Sequence, residues 1–133
     1  MILVSITRLR VRSWRFMPGF AVYTFRSVRQ ARAATGNLAT RLLADRRNTF
    51  WTATAWASEA AMREFILAGA HGKAMRKLLE WCDEAAVVHW NQEGAQLPTW
   101  SEAWIRLQSE GRKSKVNHPS AEHELYRIAE PRG

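Results

Sequence analysis

The sequence is poor in cysteine and holds none of the short motifs that bind nucleotides or metals. Cys82 is the single cysteine among 133 residues, which excludes a disulfide within the chain and a thiolate metal cluster. This usage is typical of the reducing cytoplasm, where we expect the protein to be. GxGxxG, a phosphate-binding loop and GxSxG are all absent, and no histidines stand at HxxxH or HExxH spacing. Dinucleotide binding, P-loop chemistry and a non-heme metal site are therefore disfavoured.

A long apolar run is also missing. The four apolar residues that open the chain are soon followed by Thr7 and Arg8. The run is too short for the apolar region of a signal peptide and far too short for a transmembrane helix. We therefore expect a soluble protein with no membrane insertion.

Aromatic residues and positive charge are plentiful. Seven tryptophans and five phenylalanines indicate a packed core, an interface or a pocket for a flat ligand. The formal net charge of +8 is compatible with nucleic acid, an anionic membrane or an acidic ligand. The arginines are spread along the chain without a recognition-helix motif, a zinc-finger spacing or an RNP-type signature. We expect a solvated basic surface and no nucleic-acid partner.

The periodicity of apolar residues predicts one α+β domain. Strict alternation is typical of strands, and apolar residues at three- and four-residue steps are typical of helices. The predicted strands are 2–11, 38–44, 49–56 and 84–90, and the predicted helices are 17–34 and a segment from 58 to 82 that breaks at Gly69. This order is the ferredoxin-like βαββαβ arrangement, with the helices on one face of the sheet.

The other face of the predicted sheet would be apolar and without a cover. Exposed apolar faces of that size are rare in soluble monomers, and a second copy is the simplest cover. Two sheets stacked about a twofold axis close a dimeric α/β barrel, so we expect a homodimer. The residues assigned to this face are Ile2, Val4, Ile6, Trp51, Ala53 and Ala55.

The chain becomes more polar after the last predicted strand. Residues 1–91 are predicted to form the ferredoxin-like barrel half. Residues 92–133 are predicted to form a C-terminal extension with a short helix at 101–109 and a basic arm that begins at Arg112.

Two residues stand out as candidates for chemistry. His71 follows the helix break and shares a helical face with Met75 and Leu78. It is either a half-buried histidine that bonds a backbone carbonyl, or an axial ligand to heme iron or a general base in an apolar pocket. Trp56 ends its strand on the helix-facing side, where it either packs in the core or forms the wall of a pocket.

Other residues are placed near Trp56 by the predicted fold. Phe20 and Tyr23 on the first helix are expected to line the same cavity, with core packing as the alternative. His118 lies in the extension, either in a surface turn or over the mouth of a pocket. The predicted substrate-binding residues are Phe20, Tyr23, Met75, Leu78 and His118.

Part of the sequence resembles a known superfamily. Residues 50–65, FWTATAWASEAAMREF, followed by Gly69-Ala70-His71, are similar to the antibiotic-biosynthesis-monooxygenase superfamily. The shared pattern is a strand ending in Trp, an acidic helix start, an aromatic residue and then His. The resemblance covers about residues 1–91 and implies a small dimeric α+β barrel. Residues 4–14 also resemble the N-terminus of spheroidene monooxygenases, which are heme-dependent carotenoid oxygenases.

The resemblance also implies roles for individual residues. The heme-degrading branch uses an Asn on the first strand, a Trp ending the third and an axial His in the second helical region. These positions fall at Thr7, Trp56 and His71, which become the implied catalytic residues, with His71 a metal ligand only if heme is bound. Threonine lacks the amide of the expected Asn, which argues against heme degradation itself. Members of the superfamily that oxidise polyketides use no cofactor, only an apolar pocket and a substrate that itself reacts with O₂.

The sequence therefore predicts a monooxygenase-like protein that oxidises a hydrophobic small molecule in an aromatic-lined pocket. Heme and the absence of any cofactor both remain open. The alternative is a non-catalytic dimeric module that binds a ligand and uses its tryptophans only for structure.

Overall fold

A computed structural model describes residues 1–68 and 76–132, and its elements follow the predicted order. The strands are β1 (Ile2–Val11), β2 (Asn37–Asp45), β3 (Thr49–Trp56), β4 (Cys82–Gln92) and β5 (Arg112–Lys113). The helices are α1 (Met17–Ala33), α2 (Glu59–Leu67), a helical segment at 76–81 (α3), α4 (Trp100–Glu110) and α5 (Ala121–Glu124). No helix in these ranges is long and apolar enough to cross a membrane.

One antiparallel sheet organises the fold, in the strand order β2-β3-β1-β4-β5. Strand β1 lies at its centre because it pairs with both β3 and β4. Helix α1 packs on the sheet through Phe20 and Tyr23, and α2 packs through Met62. The predicted ferredoxin-like α+β fold, with these two helices on one face, is confirmed.

Local sequence signals explain where α2 begins and how closely it approaches the sheet. Ser58 caps the helix, because its side chain accepts a hydrogen bond from the backbone N–H of Ala61. Gly36 precedes β2 with a φ of +88°, and a Cβ placed on it would lie 2.6 Å from the Cβ of Ala61. Only glycine fits both this backbone conformation and the close approach of α2.

The second face of the sheet is covered by the C-terminal extension of the same chain. Ala103 and Leu107 of α4 and Ile128 pack against it. The Trp104 indole N–H donates to the carbonyl of Ile128 at 2.7 Å, which ties α4 to the segment that follows α5. The sheet residues buried to at least 99% beneath this cover are Val4, Ile6, Trp51, Ala53 and Ala55.

The expectation that this face is bare within one chain is therefore wrong. The sequence did not predict the path of residues 92–133, and these residues fold back over the apolar face. An uncovered face was the reason to expect a homodimer, so the homodimer stays a prediction that needs another surface. The division of the chain at residue 91 also stays a prediction, although β5 extends the sheet beyond it.

A buried ion pair lies under the same cover. Arg8 Nη1 is 2.7 Å from Glu84 Oε1, and both side chains are almost fully buried. The Ser120 hydroxyl donates to Glu84 Oε2 at 2.9 Å, and Arg10 Nη1 lies 3.1 Å from the same oxygen. Burial acts to raise the pKa of Glu84, but the bond and charge of Arg8, with the bonds from Ser120 and Arg10, outweigh it and lower that pKa. The pair thus joins β1, β4 and the start of α5.

The cover predicts unequal effects of two substitutions in α4. Leu107→Ala should lower the free energy of unfolding by about 2–5 kcal/mol, because it leaves a cavity in the packed face. The matched control is Ile105→Ala, since Ile105 lies on the same helix but is 56% exposed. It should change stability by less than about 0.5 kcal/mol. Urea unfolding measures both, and equal effects would show that α4 does not cover the sheet.

Candidate functional site

A cavity of about 350 Å³ lies between the sheet and helices α1 and α2. Its volume falls within the range of small-molecule sites, about 300–1,000 Å³. Most of its lining is apolar, with contributions from β1 to β4, α1, α2 and α3. Such a space favours a hydrophobic ligand.

Aromatic rings form much of the cavity wall. Trp56 is fully buried at the end of β3 and stacks on Phe65 of α2, with ring centres 5.2 Å apart. Toward the other end, Phe20 lies 4.8 Å from Phe50 and 5.9 Å from Tyr23. All five rings line the cavity. Their flat surfaces suit a planar or ring-containing ligand.

A row of polar side chains crosses the cavity floor. The register places Thr40 beside Thr54, Thr54 beside Ser5, and Ser5 beside His89, so the row spans β2, β3, β1 and β4. Thr7 and Thr52 form a second pair, one step along the strands. All of these residues line the cavity.

Hydroxyl groups on an inward strand face are unusual in an apolar core, where they need partners. The alternation of Ser5 with Thr7 and of Thr52 with Thr54 was visible in the sequence. Its meaning depends on strand register, which brings the groups into one row.

Some buried polar groups of the wall have no hydrogen-bond partner among the described residues. The indole N–H of Trp56 and the hydroxyl of Thr24 are examples. A buried group of this kind costs about 1–3 kcal/mol when it stays unpaired. A ligand with a hydrogen-bonding group would recover part of that cost.

Tyr23 offers a neutral hydroxyl to the cavity. Burial raises the pKa of Tyr23 to about 12, a hydrogen bond with Ser27 opposes the rise, and the Cys82 thiol adds to it. The phenol therefore stays protonated at neutral pH.

His89 is the one imidazole on the cavity wall within the described ranges. It lies at the rim, with much of its ring exposed. Burial lowers the pKa of His89, the charge of Arg112 lowers it further, and the charge of Glu59 acts in the opposite sense. The ring is thus neutral at pH 7 and able to accept a proton. Sequence reasoning missed this residue, because its neighbours come from other strands.

The C-terminal extension completes the cavity at the β4 edge. Strand β5 pairs Arg112 with Val87, so Arg112 shares the cavity-facing side of the sheet. Ser114, Lys115 and Val116 follow on the lining. The extension therefore serves both faces of the sheet.

The structure brings five of the predicted site residues to one cavity. They are Thr7, Phe20, Tyr23, Trp56 and Leu78. Their roles stay predictions, but their common location is the one that those roles require.

Three predicted site residues are not on this wall. His71 and Met75 lie outside the described residues. The structure does not bring His118 to the cavity, since its Nε2 lies 3.2 Å from Glu80 Oε1 and its ring is exposed.

No cluster of three or more His, Cys, Asp or Glu side chains that could hold a metal ion occurs within the described ranges. Burial raises the pKa of the Cys82 thiol to about 12, and the charge of Asp83 adds to the rise. The thiol is therefore protonated at neutral pH. Among the described residues, His89 is the imidazole on the cavity wall that could bind heme iron.

Solved structures define the class to which this fold belongs. A variant of SnoaB, described as a cofactor-independent oxygenase from Streptomyces nogalater, is 16% identical with a TM-score of 0.55, over 74% of this chain and 98% of that chain. Rv0793 from Mycobacterium tuberculosis is 14% identical with a TM-score of 0.63, over 71% and 97%. An antibiotic biosynthesis monooxygenase is 15% identical with a TM-score of 0.61, over 69% and 99%. The protein has the antibiotic-biosynthesis-monooxygenase-like fold, as the sequence resemblance implied.

The family follows from the sequence. The chain belongs to the family described as a domain of unknown function, DUF3291, whose model matches residues 15–116. No curated protein matches the sequence. The resemblance to spheroidene monooxygenases stays a prediction.

The rim charges predict how His89 titrates. Its pKa should lie below the ordinary value of 6.5 and should rise toward it in Arg112→Gln, because a positive charge that opposes protonation is removed. Arg46→Gln, an exposed turn substitution, should leave the His89 pKa unchanged. NMR titration of the imidazole protons measures both variants, and an unshifted His89 in Arg112→Gln would contradict the geometry.

The titration of His89 also makes the folding stability depend on pH. Because the folded pKa of His89 is depressed, protonation favours the unfolded chain. The stability that His89 contributes is present above its unfolded pKa and is lost as the pH falls through its folded pKa.

Proposed function

We propose that the protein is a monooxygenase-like enzyme that oxidises a hydrophobic small molecule in the cavity described above. The observation that carries this proposal is the apolar cavity with aromatic walls and a floor of hydroxyl groups. The described similarity of the fold to a cofactor-independent oxygenase supports the same reading. An apolar cavity also dissolves O₂ readily and keeps water from reactive intermediates.

The reaction that suits this cavity needs an electron-rich substrate. A base removes a proton from an activated CH₂ group, and the resulting carbanion gives one electron to O₂. The substrate radical and superoxide then combine to a peroxide anion, which takes back the proton from the base and becomes a hydroperoxide. Loss of water from the hydroperoxide leaves a carbonyl, so one oxygen atom enters the product and the other leaves as water.

The chain's residues have distinct parts in this proposal. The rings of Trp56 and Phe65 bind the flat body of the substrate, and the Trp56 N–H donates a hydrogen bond to it. Thr7 and its neighbours on the floor bind an oxygen substituent. His71 is the general base that its sequence position suggests, and His89 is the neutral imidazole that the described cavity offers for the same step.

Heme-dependent oxidation is the other chemistry that the sequence leaves open. Bound heme would supply O₂ activation; His71 would ligate its iron, and Trp56 and Thr7 would contact the bound group. The described cavity residues provide an apolar slot for such a group, and His89 at the rim is the imidazole among them.

A non-catalytic ligand-binding module is the second candidate. The observation that favours it is the lack of an ionisable side chain in the cavity interior, apart from the neutral Tyr23, among the described residues. Binding without turnover is the property that separates it from an enzyme.

Oxygen uptake with electron-rich phenols and anthrones tests the enzyme proposal. Thr7→Val keeps the shape of the wall and Trp56→Phe keeps an aromatic ring in it. Each deletes one hydrogen-bonding group, so each should lower kcat/KM by about tenfold. His71→Ala should lower it more if His71 is the base. Trp14→Ala is the control, because Trp14 is 76% exposed and is not part of the wall. Full activity in all three site variants would overturn the assignment of the site.

An absorption spectrum with added heme accompanies that assay. A Soret band that is present in the wild type and lost in His71→Ala would identify heme as the cofactor. Turnover without a band indicates cofactor-free chemistry. Ligand binding without oxygen uptake indicates the binding module.

A homodimer is also proposed, but on a surface other than the face beneath α4. The edge of β2 is the better candidate, because β2 pairs only with β3 among the described strands and exposes Leu38 and Leu42. An exposed apolar sheet edge is prone to pair with another chain.

Sedimentation tests this dimer. The wild type should sediment at twice the 15.3 kDa of one chain, and Leu38→Lys should shift it toward the monomer because lysine protects sheet edges. Ile105→Lys on the outer side of α4 should leave the mass unchanged. A monomeric wild type would refute the dimer, and a dimer indifferent to Leu38→Lys would refute the use of the β2 edge.

A further inference from the structure

Two cations stand at the rim of the cavity where the C-terminal extension meets β4. We call Arg112 and Lys115 the basic rim. Both line the cavity and both are exposed. No carboxylate among the described residues lies within ion-pair distance of either one.

Arg112 and Lys115 differ from several other cations of the chain, which form ion pairs. Lys113 follows Arg112 on β5 but pairs with Ala86, so it lies on the opposite side of the sheet. Its Nζ is 4.0 Å from Glu124 Oε2. Arg8, Arg10 and Arg12 are each held by acidic side chains. The basic rim is thus an uncompensated charge at a cavity mouth.

The cavity itself carries no opposing charge. Its described lining contains no Asp or Glu, and His89 beside Arg112 is neutral at pH 7. The charge of Glu59 acts on His89, and Arg63 Nη2 lies 3.0 Å from the Glu59 carboxylate. Cations beside low-dielectric walls focus their field into the opening and attract anions.

We infer that the cavity selects a hydrophobic acid, whose apolar body lies among the aromatic rings and whose anionic group pairs with Arg112 and Lys115. This inference rests on the proposed use of the cavity as the ligand site and adds the class of ligand. The cavity volume of about 350 Å³ suits a compact body, on the order of two or three fused rings. The hydroxyl row then meets oxygen substituents of that body, between the acid and the Trp56 end.

A matched pair of probes tests the charge. Naphthoate and naphthalenemethanol with the same ring position share one body and differ in the acid group. Quenching of tryptophan fluorescence reports binding of each to the full chain. The wild type should bind naphthoate more tightly, and added salt should reduce that preference.

The variant Arg112→Gln/Lys115→Gln should weaken naphthoate binding by about threefold to tenfold, as for partly exposed ion pairs. Its affinity for naphthalenemethanol should stay within about twofold. Arg26→Gln/Arg46→Gln is the control, because it removes the same net charge from exposed positions away from the cavity lining. It should leave both affinities unchanged.

The outcomes separate this inference from the proposed function. Equal affinity for both probes, or a naphthoate preference that survives in Arg112→Gln/Lys115→Gln, would overturn the basic rim and leave the cavity as a site. A Trp56→Phe variant that changes neither affinity, together with weak binding of both probes, would overturn the cavity as a ligand site.

Discussion

The burial of the apolar sheet face under the chain's own α4 is the constraint on which the rest of the structure depends. Trp51 lies fully buried on that face, and Leu107 of α4 belongs to the same buried cluster. Burial of apolar area on this scale is the dominant favourable contribution to folding. Because α4 must reach back across the sheet, the chain that follows it is led to the β4 edge, where β5 and the basic rim form. One packing interaction thus determines both the closure of one face and the boundary of the cavity on the other.

The two faces of the sheet are divided by composition. The α4 side presents Val4, Ile6, Ala53 and Ala55, which pack with α4 in one buried cluster. The opposite side carries Ser, Thr and aromatic residues and holds the cavity. Small hydroxyls do not fill the gap between helix and sheet, and large rings hold its walls apart. The alternation along β1 and β3 therefore encodes one face for stability and one for ligand binding.

Much of the fold was predictable, because it follows from short-range patterns of apolar residues in the sequence. Strand β3 was predicted from Thr49 to Trp56 and is observed with those bounds. Its parity also assigned Trp51 and Trp56 to opposite faces, as observed. The path of the extension was not predictable, since α4 packs not only on β4 but also on β1 and β3, which lie some 50 to 100 residues earlier in the chain. The location of His89 and Arg112 at the cavity rim was not predictable for a related reason. The register that brings them together comes from a two-residue strand.

The cover on the sheet has a consequence for biosynthesis. All of β1, β3 and β4 leave the ribosome before α4 does, and until α4 arrives the face around Trp51 has no partner within the chain. A nascent chain in that state presents a flat apolar surface to its surroundings, which is the condition under which chaperones bind and intermediates aggregate. The last third of the chain therefore folds last. Its packing on the sheet ends the period in which the apolar face is exposed.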